Sequence, residues 1–290
     1  MCPDWTWDDS IFAGAARYYE QGRLPYPPGL ADAFTERLGA DGTGRLLDVG
    51  CGPGSIALRL AARYRHVIGI DSDADMIAEA QRLAIDRQVV NATFVLGRAE
   101  ALPMGYGMFD TITFAASFHW MERERVAAIT RGMLLAGGAV VHVDTDRADV
   151  DTTSERYPPP PAAAIARCVR DYLGEQRRAG QSVGFVSPAD EDDVWRGAGL
   201  AGPEVVRVPD GRVLDRTIDD VVAGTLSMSN SAPHLFGPRL DAFEADLRAL
   251  LGAAASGGFF NVHVPDTILK VWRPRAVFYV GADRTEPPGT

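Results

Sequence analysis

The stretch Leu46-Leu47-Asp48-Val49-Gly50-Cys51-Gly52-Pro53-Gly54-Ser55-Ile56-Ala57-Leu58 constrains this chain more than any other. An apolar run that closes on a carboxylate and passes into three alternating glycines reads as a buried strand, a tight turn and a helix start. Backbone in such a turn approaches a ligand closely where a Cβ would collide. Ser55 is placed to cap a helix carrying Ile56, Leu58 and Leu60, whose positive end faces the same turn. Residues 52–57 also satisfy the dinucleotide fingerprint, with alanine in last place. Two residues argue against that ligand. Pro53 removes an amide donor that a pyrophosphate would use, and Asp48 suits an ammonium group better than two phosphates. The next strand, His66-Val67-Ile68-Gly69-Ile70-Asp71, ends on an acid able to accept both hydroxyls of a ribose. Together these residues describe a pocket for a nucleoside with a zwitterionic amino-acid tail.

The set Asp48-x-Gly50-x-Gly52-x-Gly54, Asp71 and Phe109-Asp110 resembles class I S-adenosylmethionine-dependent methyltransferases. Within that superfamily, Tyr19-x-x-x-Arg23-x-Pro25-Tyr26-Pro27 and Phe118-His119-Trp120 resemble the small-molecule branch related to trans-aconitate methyltransferase. The similarity covers residues 5–145 well and the rest loosely. It implies an α/β, Rossmann-like fold: a seven-stranded, mostly parallel sheet with one antiparallel edge strand, helices on both faces and helical lid insertions. It also implies S-adenosylmethionine as cofactor, with Arg23 pairing to its methionine carboxylate. Contacts to the same molecule are expected from Asp48, Gly50, Cys51, Gly52, Gly54, Asp71, Ser72, Met76, Ala115 and Ser117. Relatives place an aspartate where Arg98 stands. Adenine is then read by Arg98 stacking on the ring, by Glu100 accepting from the amine, or by the backbone at Ala99.

A chain of 290 residues accommodates one α/β domain with insertions. The expected division is an N-terminal lid over 1–29, a cofactor-binding core over 40–145, and insertions over 146–190 and 210–265 that cap the acceptor. Apolar content of 46% and charged content of 23% are those of an ordinary globular enzyme. The net charge of −10 repels a phosphate backbone, so nucleic acid is not an expected partner. Cys2, Cys51 and Cys168 lack paired spacing and neighbouring histidines, which excludes a disulfide framework and gives no metal site. Cys51 meets the turn's need for a small residue, and no base is spaced beside it to make it a nucleophile. The first residues show no secretory pattern and no run approaches the roughly 20 apolar residues of a membrane span, so a cytoplasmic location is expected.

Aromatic residues crowd the start of the chain, and Trp7, Tyr18 and Tyr19 are expected to wall the acceptor beside a sulfonium cation. Helices are expected over 30–38, from Ser72-Asp73 through Leu83, over 122–135 (ended by 136–138) and over 162–178. Further helices are expected from 188 to 197, from Thr217 toward Leu226, and over 241–251. Strands are expected over 93–96, 109–117, 139–144 and 204–208, with a closing antiparallel strand over 276–280. The tetraproline 158–161 reads as a stiff linker. Phe118, His119 and Trp120 follow the fourth strand at the end where ligands bind in open α/β sheets. His119 is the candidate general base, since its ordinary pKa lies near neutrality. His234, after the small polar run 227–231, is a candidate for the acceptor pocket.

The expected reaction is in-line methyl transfer to a nitrogen or oxygen of a small molecule, such as a natural-product (antibiotic) biosynthetic intermediate. Carboxylate methylation of the trans-aconitate kind and a non-catalytic nucleotide-binding module are the alternatives. Partners are a small-molecule acceptor and, as an open choice, a second copy of the chain.

Overall fold

The computed structural model describes residues 8, 10–146, 156–176, 178–179, 182–183 and 190–275. Trp7 and the strand expected over 276–280 lie outside these residues. The helices are α1 (Ala16–Gly22), α2 (Leu30–Leu38), α3 (Ala57–Leu60), α4 (Ala74–Asp86), α5 (Arg123–Gly132), α6 (Ala162–Leu173), α7 (Glu191–Gly197), α8 (Ile218–Leu226) and α9 (Leu240–Ala254). The strands are β1 (Arg45–Val49), β2 (His66–Asp71), β3 (Ala92–Leu96), β4 (Phe109–Ala115), β5 (Leu134–Thr145), β6 (Arg178–Ala179), β7 (Ser182–Val183), β8 (Leu200–Val208), β9 (Val213–Thr217), β10 (Phe259–His263) and β11 (Thr267–Pro274).

Among the described residues, seven strands form the main sheet in the order β3-β2-β1-β4-β5-β11-β8. The pairs among β1 to β5 are parallel, and β11 runs antiparallel to both β5 and β8. The sheet is buried on both sides, so its strands read as apolar runs and alternate residues serve opposite layers. Leu46 and Val67 pack with Phe34, Leu60 and Ile77 in one layer. Leu47 and Ile68 pack with Val126, Val194 and Trp195 in the other. Because chain order reverses between β1 and β4, the crevice at the carboxyl ends of these strands is where a ligand fits.

Local signals fix most elements. Asp73 caps α4 by accepting from the Asp75 and Met76 amides. Thr217 and Asp220 form a reciprocal capping box at the start of α8. Ser55 makes no cap: α3 is a single turn whose Ala57 N–H donates to Asp48 Oδ2 at 3.2 Å, because the buried carboxylate takes the role from inside. Helix α6 stops at Gly174, short of residue 178. Residues 136–138 lie within β5 and do not end α5, because the strand enters the sheet at Leu134 opposite Phe109.

A third apolar cluster, separate from the two layers of the sheet, gathers Leu226, Phe236, Phe243, Leu247 and Phe260 with Ile165 and Val169. It joins α6, α8, α9 and the β9–β10 pair, and α1 packs against α8. The α1–α8 crossing is backbone to backbone. A Cβ on Gly22 would sit 2.4 Å from the Ala223 carbonyl carbon.

Candidate functional site

The turn after β1 and the turn after β4 are packed too closely for side chains. Gly50 has φ +67°, and a Cβ there would lie 2.5 Å from Ser117 Cβ. Ser117 Oγ donates to the Val49 carbonyl at 2.6 Å, and the Gly50 and Cys51 amides donate to the Ile70 carbonyl at 2.8 and 3.0 Å. Ala116, at the end of β4, has φ +50°, a strained conformation for a residue with a Cβ. It leaves this edge of the cavity bare backbone and methyl groups.

A cavity of about 770 Å³ opens over these turns. Gly50, Gly52, Asp71, Ser72, Met76, Arg98, Ala99, Glu100, Ala115 and Ser117, all expected at the cofactor, line it, and so do Tyr19 and Trp120. Asp71 is set in place by two amides: Oδ2 accepts from Gly52 N at 2.7 Å and Oδ1 from Asp73 N at 3.0 Å. Burial pushes its carboxyl pKa up despite those bonds. Glu100 is almost fully buried, accepts from the Glu122 amide at 2.9 Å and meets Arg98 Nε at 3.4 Å. The cation at 98 and the acid two residues on are therefore one unit. Met76 is 2% exposed and packs with Phe12, Ala15 and Tyr19, giving the cavity an apolar wall.

Sequence reasoning missed Asp8, Ile11, Phe12, Asp73, Ala116 and Met121, which also line the cavity. The pair Ala115-Ala116 at a strand's carboxyl end carried a signal. The N-terminal segment was expected as a lid over 1–29, but only tertiary packing selects Asp8, Ile11 and Phe12 within it.

Other expected residues stand elsewhere. Asp48 is 1% exposed and turned inward, accepting from Thr113 Oγ1 at 2.8 Å as well as from Ala57. Burial raises its pKa to about 7, overcoming both hydrogen bonds. The Cys51 side chain is buried, with its Sγ 2.9 Å from where a Gly69 Cβ would be, and Gly54 packs on the Phe94 ring. Phe118 does not face the cavity. It stacks on Trp195 at 4.4 Å and meets His142 edge-on in the sheet's other layer. Burial holds His142 down at about 3, so it is neutral and its 3.3 Å contact with Glu191 is not an ion pair. His119 is exposed and lies outside the cavity wall, its ring against Trp120 at 4.7 Å. Tyr18 belongs to the third apolar cluster, where its hydroxyl accepts from Arg17. His234 Nδ1 meets the Ala13 carbonyl at 3.2 Å, a tie between the N-terminal segment and the cap.

Arg23 lines a second, larger cavity that shares Tyr19, Ala115 and Ala116 with the first. Its Nη2 donates to the Ser227 carbonyl at 2.7 Å and its guanidinium lies 4.8 Å over the Tyr19 ring. Its buried Nε has no partner. A buried donor left unsatisfied is costly, which marks this edge as a place for an anionic group.

The strand order and the antiparallel β11 are those of the Rossmann-like class I methyltransferase fold. Residues 46–138 match the family model described as a methyltransferase domain. An uncharacterized methyltransferase of Mycobacterium tuberculosis is 30% identical over 127 residues, covering 44% of this chain and 49% of that protein. The chain thus spans about half the length of the curated relatives it matches. A solved type II methyltransferase of Anaeromyxobacter dehalogenans superposes with TM-score 0.54 at 20% identity, covering 86% of this chain and 97% of that one. The [4+2]-cyclase SpnF superposes with TM-score 0.52 at 19% identity, covering 92% and 94%. These two likenesses describe a shared fold. No helix among the described residues is long and apolar enough to cross a membrane.

Proposed function

We propose that the chain is an enzyme that moves a methyl group from S-adenosylmethionine to a nitrogen or oxygen of a small molecule, as in natural-product biosynthesis. The observation that carries this reading is the pairing of two cavities at Ala115-Ala116. One has the residues for a nucleoside, and the other has an unpartnered guanidinium nitrogen at its edge. Asp71 would accept the ribose hydroxyls, Met76 and Ala99 would flank adenine, and the Arg98–Glu100 unit would meet its polar rim. Arg23 would bind the methionine carboxylate through Nε. Asp48 would reach the ammonium group only by giving up one of its present bonds.

Bound there, S-adenosylmethionine supplies a methyl group already activated by its sulfonium charge. The chain's part is then to align, to enclose and to exclude water. Tyr19 and Trp120 supply the aromatic wall suited to a cation. A base role for His119 has no support from its exposed position. Among the described residues, two carboxylates line the acceptor cavity, Glu20, which is paired with Arg87, and Asp144 at the carboxyl end of β5, which would be the acceptor of a released proton. The acidic net charge favours a small molecule over nucleic acid, and residues 1–29, 146–190 and 210–265 would form the lid and cap in a cytoplasmic enzyme.

Calorimetry with S-adenosylhomocysteine tests the cofactor site, and tritium transfer from labelled cofactor into a small-molecule extract tests the reaction. Binding with transfer is expected. Binding without transfer would instead support a non-catalytic nucleotide module, and no binding would overturn the reading.

A further inference from the structure

The wall of the second cavity holds a cation that the cofactor does not need. Arg59, on α3, is half-buried and donates through Nη2 to the Pro27 carbonyl at 2.9 Å. Among the described residues it has no carboxylate within ion-pair distance. Arg87 in the same wall is committed to Glu20, and Arg216 to Asp220 at 3.9 Å. Asp210, the acid whose field Arg59 feels, is already gripped by Arg212 through two nitrogens. Arg59 is thus crowded by Arg87 and Arg212 and half withdrawn from water, and burial with like charge pulls its pKa down. An uncompensated, partly desolvated guanidinium is stabilised most by an incoming anion. In a chain with a net charge of −10, this local cationic surface runs against the mean.

A third cavity adjoins the second behind a shared wall that includes Leu24, Arg216 and Met228. It is an open depression whose surface is mainly apolar. Ile165, Val169 and Leu173 of α6 face it together with Val221 and Val262. Helix α6 packs with α9 through its buried Cys168, and Ile165, Val169 and Leu173 stay partly exposed toward this space. Met228, unbranched and exposed, is a side chain able to shift between the two chambers.

We infer that the acceptor is an amphipathic anion, with a carboxylate or phosphate group held by Arg59 and an apolar body housed in the chamber under α6. This rests on the methyl-transfer reading for the word acceptor, while the binding itself does not require it. The two cavities share Leu24, Arg216 and Met228 in their lining and Arg59 lies in the second alone, so a molecule held at Arg59 would reach the apolar chamber past Met228.

The test is calorimetry of octanoate, octyl phosphate and octanol against the protein, alone and saturated with S-adenosylhomocysteine. At least one anion is expected to bind tenfold or more tightly than octanol, and the stronger of the two identifies the head group. Arg59→Gln is expected to weaken that anion at least tenfold and to leave octanol unchanged. Ala166→Trp, at an exposed position on the chamber wall, and Ile165→Asp are each expected to weaken all three probes. S-adenosylhomocysteine affinity is expected to stay constant in every variant. Equal binding of octanol and the anions, an unaltered anion affinity in Arg59→Gln, or no effect of either α6 variant would overturn the inference. Loss of S-adenosylhomocysteine binding by the parent protein would overturn the methyl-transfer reading instead, with the octanoate titration still readable on the unliganded chain.

Discussion

Asp48 shows how much a single buried carboxylate can decide. It is 1% exposed, and its pKa of about 7 stands above the ordinary carboxylate value of 3.8. In this pH interval the native chain holds a proton that the unfolded chain has released. Its contribution is therefore fully present below about pH 4 and is lost as pH rises through about 7, a span worth roughly 4 kcal/mol at most. Urea melts of the parent chain should show stability falling between pH 5 and pH 8. In Asp48→Asn that slope should flatten, and an unaltered slope would assign the dependence to other groups. Asp71 matters at the ligand site instead, since it lines the cavity and spends its bonds on the Gly52 and Asp73 amides. Asp71→Ala should weaken S-adenosylhomocysteine on the order of tenfold to a hundredfold, the worth of one or two hydrogen bonds to a charged acceptor. Circular dichroism should show the fold retained.

At the level of elements, the crossing of α1 over α8 governs where the N-terminal aromatics stand. Helix α1 carries Tyr19 and leads into Arg23, and its last residue, Gly22, touches α8 without a side chain between them. Gly22→Ala would place a methyl group 2.4 Å from the Ala223 carbonyl carbon, against backbone atoms of Ala223 and Gly224 and no flexible side chain that could yield. The helices must separate, at a cost of about 1–3 kcal/mol. Both the melting temperature and S-adenosylhomocysteine affinity should fall, because Tyr19 and Arg23 move with α1. A variant with normal affinity would show that the α1–α8 contact supports the cap alone. The same contact explains why Tyr18 and Tyr19, adjacent in sequence, part company: one faces the cap's apolar cluster and the other the cavity.

For the whole molecule, the cofactor cavity draws its walls from the sheet, from α4 and from the N-terminal segment, so a ligand there couples parts that are distant in sequence. S-adenosylhomocysteine at a hundred times its dissociation constant should stabilise the native state by about 2.7 kcal/mol, raising the melting temperature by about 4 °C. A melting temperature that does not respond at that concentration would contradict binding to the native state. Much of this architecture was legible in the sequence. The glycine turn, the acid ending β2 and the alternating layers of a doubly covered sheet are local patterns, and local backbone sterics and burial enforce them wherever the chain folds this way. What the sequence left undetermined was direction across the third dimension. Whether Asp48 points to the ligand or into the core, whether Phe118 or Trp120 faces the cavity, and that His119 stands outside it depend on which layer has room. The packing of Trp195 on Phe118, of Thr113 on Asp48 and of Ser117 on Gly50, each pair far apart in the chain, settles that room. The cationic wall at Arg59 is likewise a tertiary property: Arg212 claims Asp210 two residues away, but the pairing of Arg87 with Glu20 and the approach of both arginines to Arg59 arise only in the folded chain.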